Sequence, residues 1–406
     1  MKILHLSTTD IKGGAGIAAY RLHKGLLDNE IDSQMLVQRK SSKDTSVLCS
    51  NSKLEKFFAF FCLASDKIVA NIFGPKNYEI VSPALFSSIT LRAIDKINPD
   101  IVHIHWICGG FLSPEKIKQI KQPIVWTMHD MWPFSGVNHY NADEKNYITG
   151  DFENSNFLDR WTFKRKKRAW NSLNNFTAVS PSKWLANEAK ASYLFKNFKV
   201  ENIPNGIDVD LFKKQDKELA RKKYNLPLYK KLMLFGAVNP LSGERKGYKL
   251  LVSVIQELLK LNINKDLALV VFGSSDDNKV DFGLPTYFIG KISSEEELAI
   301  VYSAADIFIA PSREDNLPNT VVESMSCGTP IVAFNIGGMP DMIDHRINGV
   351  LVEPFNVSLM AKEISDIFND ENYYNSLTVE ARKKVLNYFD IKIVIKKYLE
   401  LYKSVL

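Results

Sequence analysis

Short apolar runs alternate with longer amphipathic stretches along the whole chain. KILHL, DSQMLVQ, DIVHIHW, PIVWTMH and FTAVS predict strands, with helical segments between them. After Ile203 the pattern restarts. KLMLFGAV, LALVVFG, TYFIG, DIFIAPS, PIVAF and GVLV predict strands, and GYKLLVSVIQELLKL and SEEELAIVYSAA predict intervening helices. Such alternation predicts a parallel sheet covered by helices, here twice in tandem, so the fold class is α/β. Between the halves, NIPNGIDVDLF offers turn chemistry at Pro204, Asn205 and Gly206, which marks a boundary and hinge. Two doubly wound domains facing a central crevice would bring ligand-binding loops to the C-terminal ends of their strands.

Composition narrows the class. At 406 residues with 45% hydrophobic and 24% charged, the chain is globular and long enough for two to three domains. Its net charge of +6 is mild and dispersed, with no aromatic-basic recognition motif, which argues against nucleic acid. Cys49, Cys62, Cys108 and Cys327 stand far apart, suggesting neither a zinc site nor a disulfide framework and fitting a reducing, cytoplasmic setting. MKILHLSTTD reaches polar residues too early for a signal peptide, so the chain reads as mature from Met1. The most apolar segment, KFFAFFCLASDKIVANIF, is interrupted by Asp66 and Lys67 and falls short of the roughly 20 apolar residues a spanning helix needs.

Candidate chemistry lies just after predicted strands. Gly13, Gly14 and Gly16 follow KILHL and open a helix, where backbone can approach a phosphate or sugar; a tight strand-to-helix turn explains them equally. MHDMWPFSGVNHY follows PIVWT and holds His129, Asp130, Trp132 and His139. His129, at the strand end, is placed to orient a sugar or take a proton, whereas His139 reads as structural. His103 and His105 share one strand face, have no acid at ligand spacing, and read as scaffolding rather than a metal site. In the second half, Arg245 and Lys246 precede a helix and suit a diphosphate, with a solvated basic pair as the alternative. SREDNLPNTVVESMSCGTP follows DIFIAPS. It predicts a loop, a helix capped at Asn319 whose first amides near Asn319 and Thr320 can hold phosphate oxygens, and a stop at Gly328. Glu323, one turn into that helix, can accept hydrogen bonds from vicinal hydroxyls such as those of ribose, Asp315 can reach another part of the same ligand, and Glu314 reads as solvated.

PSREDNLPNTVVESMSCGTPIVAF resembles the donor-site signature of the retaining glycosyltransferases of family 4, with GGAG, VHIHW, the HDMW loop, AVSPSKWLA, NIPNGID, RKGY and INGVLVEP as supporting matches along nearly the whole chain. The resemblance implies the GT-B architecture, two Rossmann-like doubly wound domains facing a central crevice. The expected divisions are an acceptor-binding domain at 1–203, a nucleotide-sugar-binding domain at 204–385, and a C-terminal helix at 386–406 that crosses back to the first domain. It implies that Glu323 binds ribose, that Asp315 contacts the donor sugar, that Asn316, Leu317 and Pro318 offer backbone amides, and that Lys246 binds the diphosphate. It further implies that His129 lies near the sugar's C6 hydroxyl and Gly14 near the phosphates. Two features depart from the family: Asp315 replaces the usual glutamate, with N-L-P following in place of G-F-G, and Ala237 and Val238 stand where an arginine is usual, a charge that Arg245 could replace.

The implied activity is a hexosyltransferase, retaining and metal-independent, with no cofactor beyond a UDP- or GDP-linked sugar as co-substrate. Its acceptor would be a glycan or lipid-linked glycan, as in surface polysaccharide or lipopolysaccharide synthesis. DRWTFKRKKRAWNSL sets Trp161, Phe163 and Trp170 beside six basic residues, so a peripheral position on an anionic membrane through 161–170 stays open beside a solvated basic helix. Two other classes also stay open: an epimerase or hydrolase of the same fold, and a non-catalytic nucleotide-sugar binder.

Overall fold

Every predicted apolar run falls on a strand. The structure, a computed structural model, describes residues 1–406 except 51, 77–78, 141–143, 237–243, 262–265 and 274–280. In the first half, β1 (Lys2–Thr9), β2 (Asp32–Arg39), β3 (Val47–Leu48), β4 (Ile101–Ile104), β5 (Ile124–Thr127), β6 (Phe176–Ser180) and β7 (Lys199–Asn202) form one sheet in the order β3-β2-β1-β4-β5-β6-β7. In the second, β8 (Lys231–Gly236), β9 (Leu267–Phe272), β10 (Thr286–Phe288), β11 (Ile307–Ala310), β12 (Ile331–Phe334) and β13 (Gly349–Val352) follow the order β10-β9-β8-β11-β12-β13. All these pairings are parallel.

Burial explains why most strands were legible. The residues of β4, β5, β6, β9, β11 and β12 are buried at every position, because helices cover both faces of a parallel sheet, and such strands read as continuous apolar runs. The two strands outside the predicted set sit at the sheet edges. β3 has only two residues, and in β7, KVEN, only Val200 is buried, so neither carries a run. In each sheet the strand order reverses once, between β1 and β4 and between β8 and β11. Crevices at the C-terminal ends of strands open at such reversals.

The chain divides into one unit of Met1–Gly206 with Val394–Leu406 and a second of Ile207–Ile393. These divisions lie later than the expected 203/204 and 385/386. Val385 and Phe389 are buried in the second core, and Ile207 both donates to Phe389 O and accepts from Ile391 N, each at 2.9 Å, which ties the entry and exit of the second unit together. The helix Ile391–Val405 belongs to the first unit from Val394 onward. Two of its tyrosines hold it there: Tyr402 Oη lies 2.6 Å from His103 Nδ1, and Tyr398 Oη lies 2.8 Å from Thr127 Oγ1, itself 2.7 Å from His103 Nε2. Tyr402→Phe leaves His103 without that buried partner, and urea unfolding of the full chain is expected to show a loss of about 1–3 kcal/mol. An unchanged midpoint and slope would mean that the contact contributes nothing.

Candidate functional site

In the second unit, the site begins where β8 ends. Ala237 and Val238, the positions of the missing arginine, lie outside the described residues. Arg245 and Lys246 lie on a turn that leads into the helix Tyr248–Lys260. That turn is pressed against the loop after β11: Gly247 has φ +74°, and a Cβ there would stand 1.7 Å from Pro311 O, so only glycine fits. Arg313 N also donates to Arg245 O at 2.7 Å. This close approach carries Lys246 Nζ to 2.5 Å from Asp315 Oδ2 and Arg245 Nη1 to 3.4 Å from Asp315 Oδ1. Arg245 donates to Glu314 O at 3.2 Å, and Ser312 Oγ donates to Asp315 at 3.3 Å.

Asp315 is only 5% exposed. Burial pushes its carboxyl pKa up, but the Lys246 ammonium, the Arg245 guanidinium and the hydrogen bonds from Lys246 and Ser312 outweigh that and hold it below its ordinary value. The carboxylate therefore stays ionised and neutralises half of the local positive charge. Its backbone is fixed from the other side, where Gly338 N donates to Asp315 O at 3.1 Å. Gly337, at φ +50°, allows this approach, since a Cβ there would stand 2.0 Å from that oxygen. Neither glycine of FNIGGMPD belongs to a recognised motif. A paired Gly-Gly after a buried strand was the available signal.

The helix Asn319–Ser326 is capped by Pro318 rather than by Asn319. Pro318 has extended backbone (φ −65°, ψ 121°) and makes no side-chain cap hydrogen bond. At the other end Gly328 adopts φ +72° as expected. A small pocket at the ends of β8 and β11 is lined by Gly236, Lys246, Ser312, Pro318 and Thr320, among others. Asn316 and Leu317 are buried beside it, Leu317 with its side chain in the core. Glu314 is partly exposed. Glu323 is buried, accepts a hydrogen bond from Tyr302 Oη at 2.8 Å, and is not among the described residues that line the pocket. Tyr302, on the helix Glu295–Ala304, was not singled out by sequence because it reads as an ordinary apolar position of that helix.

In the first unit, Gly14 is exposed in the first turn of the helix Gly13–Asp28, directly after β1. His129 lines a second pocket with His105, Thr127, Pro204, Asn205, Gly206 and Tyr398, among others. Behind it runs a chain of histidines: His105 Nδ1 lies 3.3 Å from His129 Nε2, and His5 Nδ1 lies 3.0 Å from His105 Nε2. The chain ends at His5 Nε2, which is buried without a hydrogen-bond partner. A buried unpaired N–H is harder to accommodate than an unpaired lone pair. The protons therefore point outward, from His5 Nδ1 to His105 and from His105 Nδ1 to His129, leaving the His129 proton on Nδ1. Burial drives the pKa of His129 down to about 4 and that of His103 down to about 3, with His5 and His105 also well below the ordinary value, so all four are neutral at pH 7.

His5, His103 and His105 bring their ring nitrogens within 4.8 Å of one another, a closeness that the spacing of His103 and His105 alone does not reveal. The nitrogens a metal would use are engaged, however: His103 by Tyr402 and Thr127, His105 by His5 and His129. His139 is structural, at 2.6 Å from Asp130 and 2.8 Å from Ser82 Oγ.

The basic aromatic segment divides between core and surface. In the helix Phe157–Trp170, Phe163 and Trp170 are core residues, and Lys166 is fully buried, 3.6 Å above the Trp132 ring and bonded to the carbonyls of Trp132, Ser135 and Gly136. Arg165 is bonded to the carbonyls of Pro83 and Ala84. Trp161 alone of the three aromatics is exposed. The segment's charge thus partly serves to pin loops, including the one that follows His129.

Comparison with known proteins agrees with this architecture. The description "Glycosyltransferase Family 4" matches residues 12–211 and "Glycosyl transferases group 1" matches residues 216–384. The N-acetyl-alpha-D-glucosaminyl L-malate synthase of Bacillus anthracis is 23% identical over 356 residues, 84% of each chain. A D-inositol 3-phosphate glycosyltransferase of Thermobispora bispora is 23% identical over 299 residues, 70% of this chain and 65% of that protein. Among solved structures, the sucrose-phosphate synthase of Thermosynechococcus elongatus aligns with TM-score 0.67 at 18% identity, over 100% of this chain and 99% of that one. Anabaena HepE in complex with UDP aligns with TM-score 0.66 at 15% identity, over 100% of both. The shared fold is GT-B, two Rossmann-like domains each built on a parallel sheet.

The neutral histidines set a pH dependence. Their folded pKa values lie below the ordinary 6.5, at about 4 for His129 and about 3 for His103, so on acidification the unfolded chain binds protons that the folded chain does not. Stability is therefore lost as pH falls from 6.5 toward 4, by up to about 1.4 kcal/mol per pH unit for each such histidine. Urea midpoints at pH 7 and pH 5 check this, and equal midpoints would contradict it.

Proposed function

The chain belongs to the family 4 glycosyltransferases, and from that premise we propose that it moves a hexose from a nucleoside diphosphate, UDP- or GDP-linked, to an acceptor hydroxyl with retained anomeric configuration. The observation that carries this reading is the Lys246–Asp315–Arg245 cluster beside the start of the helix Asn319–Ser326, at the strand reversal of the second sheet. Two cations and one carboxylate leave a net single positive charge, and the helix N-terminus adds to it. A diphosphate is the anion such a site accepts.

In this reading the bond between the anomeric carbon and the diphosphate oxygen breaks while the acceptor oxygen bonds to the same face of that carbon. The acceptor proton passes to the departing diphosphate. Lys246 and Arg245 stabilise the charge that grows on the leaving group, the amides of Asn319 and Thr320 hold its oxygens, and no metal is required. Asp315 holds Lys246 in position and contacts the sugar, with the backbone of Asn316, Leu317 and Pro318 beside it. Glu323, steadied by Tyr302, accepts the ribose hydroxyls. Gly14 and His129 are assigned the phosphates and the sugar's C6 hydroxyl through their motifs, and the Nδ1 proton of His129 suits a donor role.

For the acceptor we propose a glycan or lipid-linked glycan of a surface polysaccharide, met at the cytoplasmic side of a membrane. The two named relatives act on inositol 3-phosphate and malate, so small anionic acceptors form the comparison panel. Free nucleoside diphosphate should appear only when donor and a suitable acceptor are both present, and EDTA should leave the rate unchanged. Sugar alteration without nucleotide release, or donor binding without turnover, would replace transfer by epimerisation or sensing. Glu323→Gln should raise the KM for donor about tenfold with little change in kcat, the loss of a hydrogen bond to a charged group. Arg245→Ala should lower turnover, and unchanged kinetics would show that Arg245 does not replace the missing arginine.

A further inference from the structure

The helix Lys53–Phe73 is anomalous in the first unit. Of its 21 residues only Cys62 and Asp66 are buried, while Leu54 and Phe57 are 81% and 71% exposed and Phe61, Ile68 and Ile72 are exposed with them. These five follow one another at steps of three, four, seven and four, so they form a single stripe along the helix. Phe86 widens it, with its ring 5.9 Å from that of Phe61 and itself exposed. The opposite side is anchored: Asp66 Oδ1 accepts from Leu85 N at 2.8 Å. A continuous apolar stripe of this length is unusual on a surface that meets only water.

Charge indicates what covers it. Lys53, Lys56 and Lys67 are the exposed cations of this helix, against Glu55 as its exposed acid. The helix packs beside Phe157–Trp170. Phe157, Trp161, Lys164 and Arg168 are the exposed residues there, spaced four, three and four apart. Two neighbouring helices thus each present apolar side chains together with lysine or arginine.

We infer that this face docks on a bilayer surface containing anionic lipid. The helix Lys53–Phe73 lies in the interfacial plane, its phenylalanines and aliphatic side chains among the acyl chains and its lysines at the headgroups. A second copy of the chain in a two-fold contact would set lysines against lysines, whereas an anionic headgroup layer pairs with them. Among the described residues no helix is long and apolar enough to cross a membrane, so the mode is lying on the surface rather than spanning it. This inference does not depend on the donor-site reading.

Flotation of the full chain with vesicles of phosphatidylcholine alone, and of phosphatidylcholine mixed with phosphatidylglycerol, tests it. Wild type should float with the anionic vesicles. Phe57→Ser combined with Phe61→Ser should weaken binding at least about tenfold. Lys53→Gln, Lys56→Gln and Lys67→Gln together should weaken it by about fivefold per charge, an effect that high salt removes. All five positions are exposed, and unchanged thermal melting and gel-filtration volume will show that the variants fold. Wild type that stays unbound, or variants that float as well as wild type, would overturn the inference. A dimer that Phe61→Ser dissociates while flotation is unchanged would assign the stripe to a second copy instead.

Discussion

The ion cluster at Asp315 is the constraint on which the second unit's site depends. A carboxylate this deeply buried is stable only with its counter-charges in place. Lys246 and Arg245 come from the turn after β8, Asp315 from the loop after β11, so the cluster couples the two strands that meet where the sheet order reverses. Three backbone arrangements serve this one contact: Gly247 against Pro311, Arg313 bonded to Arg245, and the Gly337 turn against Asp315. The chain fixes both loop backbones so closely that the charges have little freedom to separate. That is the preorganisation the proposed diphosphate site needs, because cations already held in place cost no reorganisation when charge develops beside them.

The first unit uses a different device for the same end. Its loop after β5 is fixed by hydrogen bonds to backbone and rings rather than by a lysine–carboxylate pair: Lys166 gathers three loop carbonyls, Asp130 binds Trp106, Trp132 and His139, and the histidine chain from His5 sets the tautomer at His129. Within the histidine chain the unsatisfied atom lies at the far end, at His5 Nε2, away from His129.

Most of the fold was legible because parallel strands buried on both faces leave unmistakable apolar runs. The edges were not: β3 is too short and β7 too polar to register. Within the site, Arg245, Lys246, Asp315 and Glu323 were legible as charges after strands, but their pairing was not, since Lys246 and Asp315 meet through the close packing at Gly247, a three-dimensional contact with no local signature. The capping residue was misread because Pro318 sets the entry geometry that a polar Asn319 suggests for itself. In the basic aromatic segment of 161–170, which cations reach solvent was not legible. Lysine and arginine look solvated in a sequence, yet Lys166 and Arg165 are drawn inside by unsatisfied loop carbonyls.

The central claim is that Lys246 is held by Asp315 at the position of a nucleotide's diphosphate. Calorimetric titration of UDP into wild type, Lys246→Ala and Asp315→Asn tests it most directly. Lys246→Ala removes the cation and is predicted to weaken UDP binding at least about tenfold, and Asp315→Asn, which keeps the cation but removes the charge that holds it, is predicted to weaken binding by a smaller factor. UDP binding to Asp315→Asn as tight as to wild type would contradict the account, as would UDP binding that Lys246→Ala does not alter.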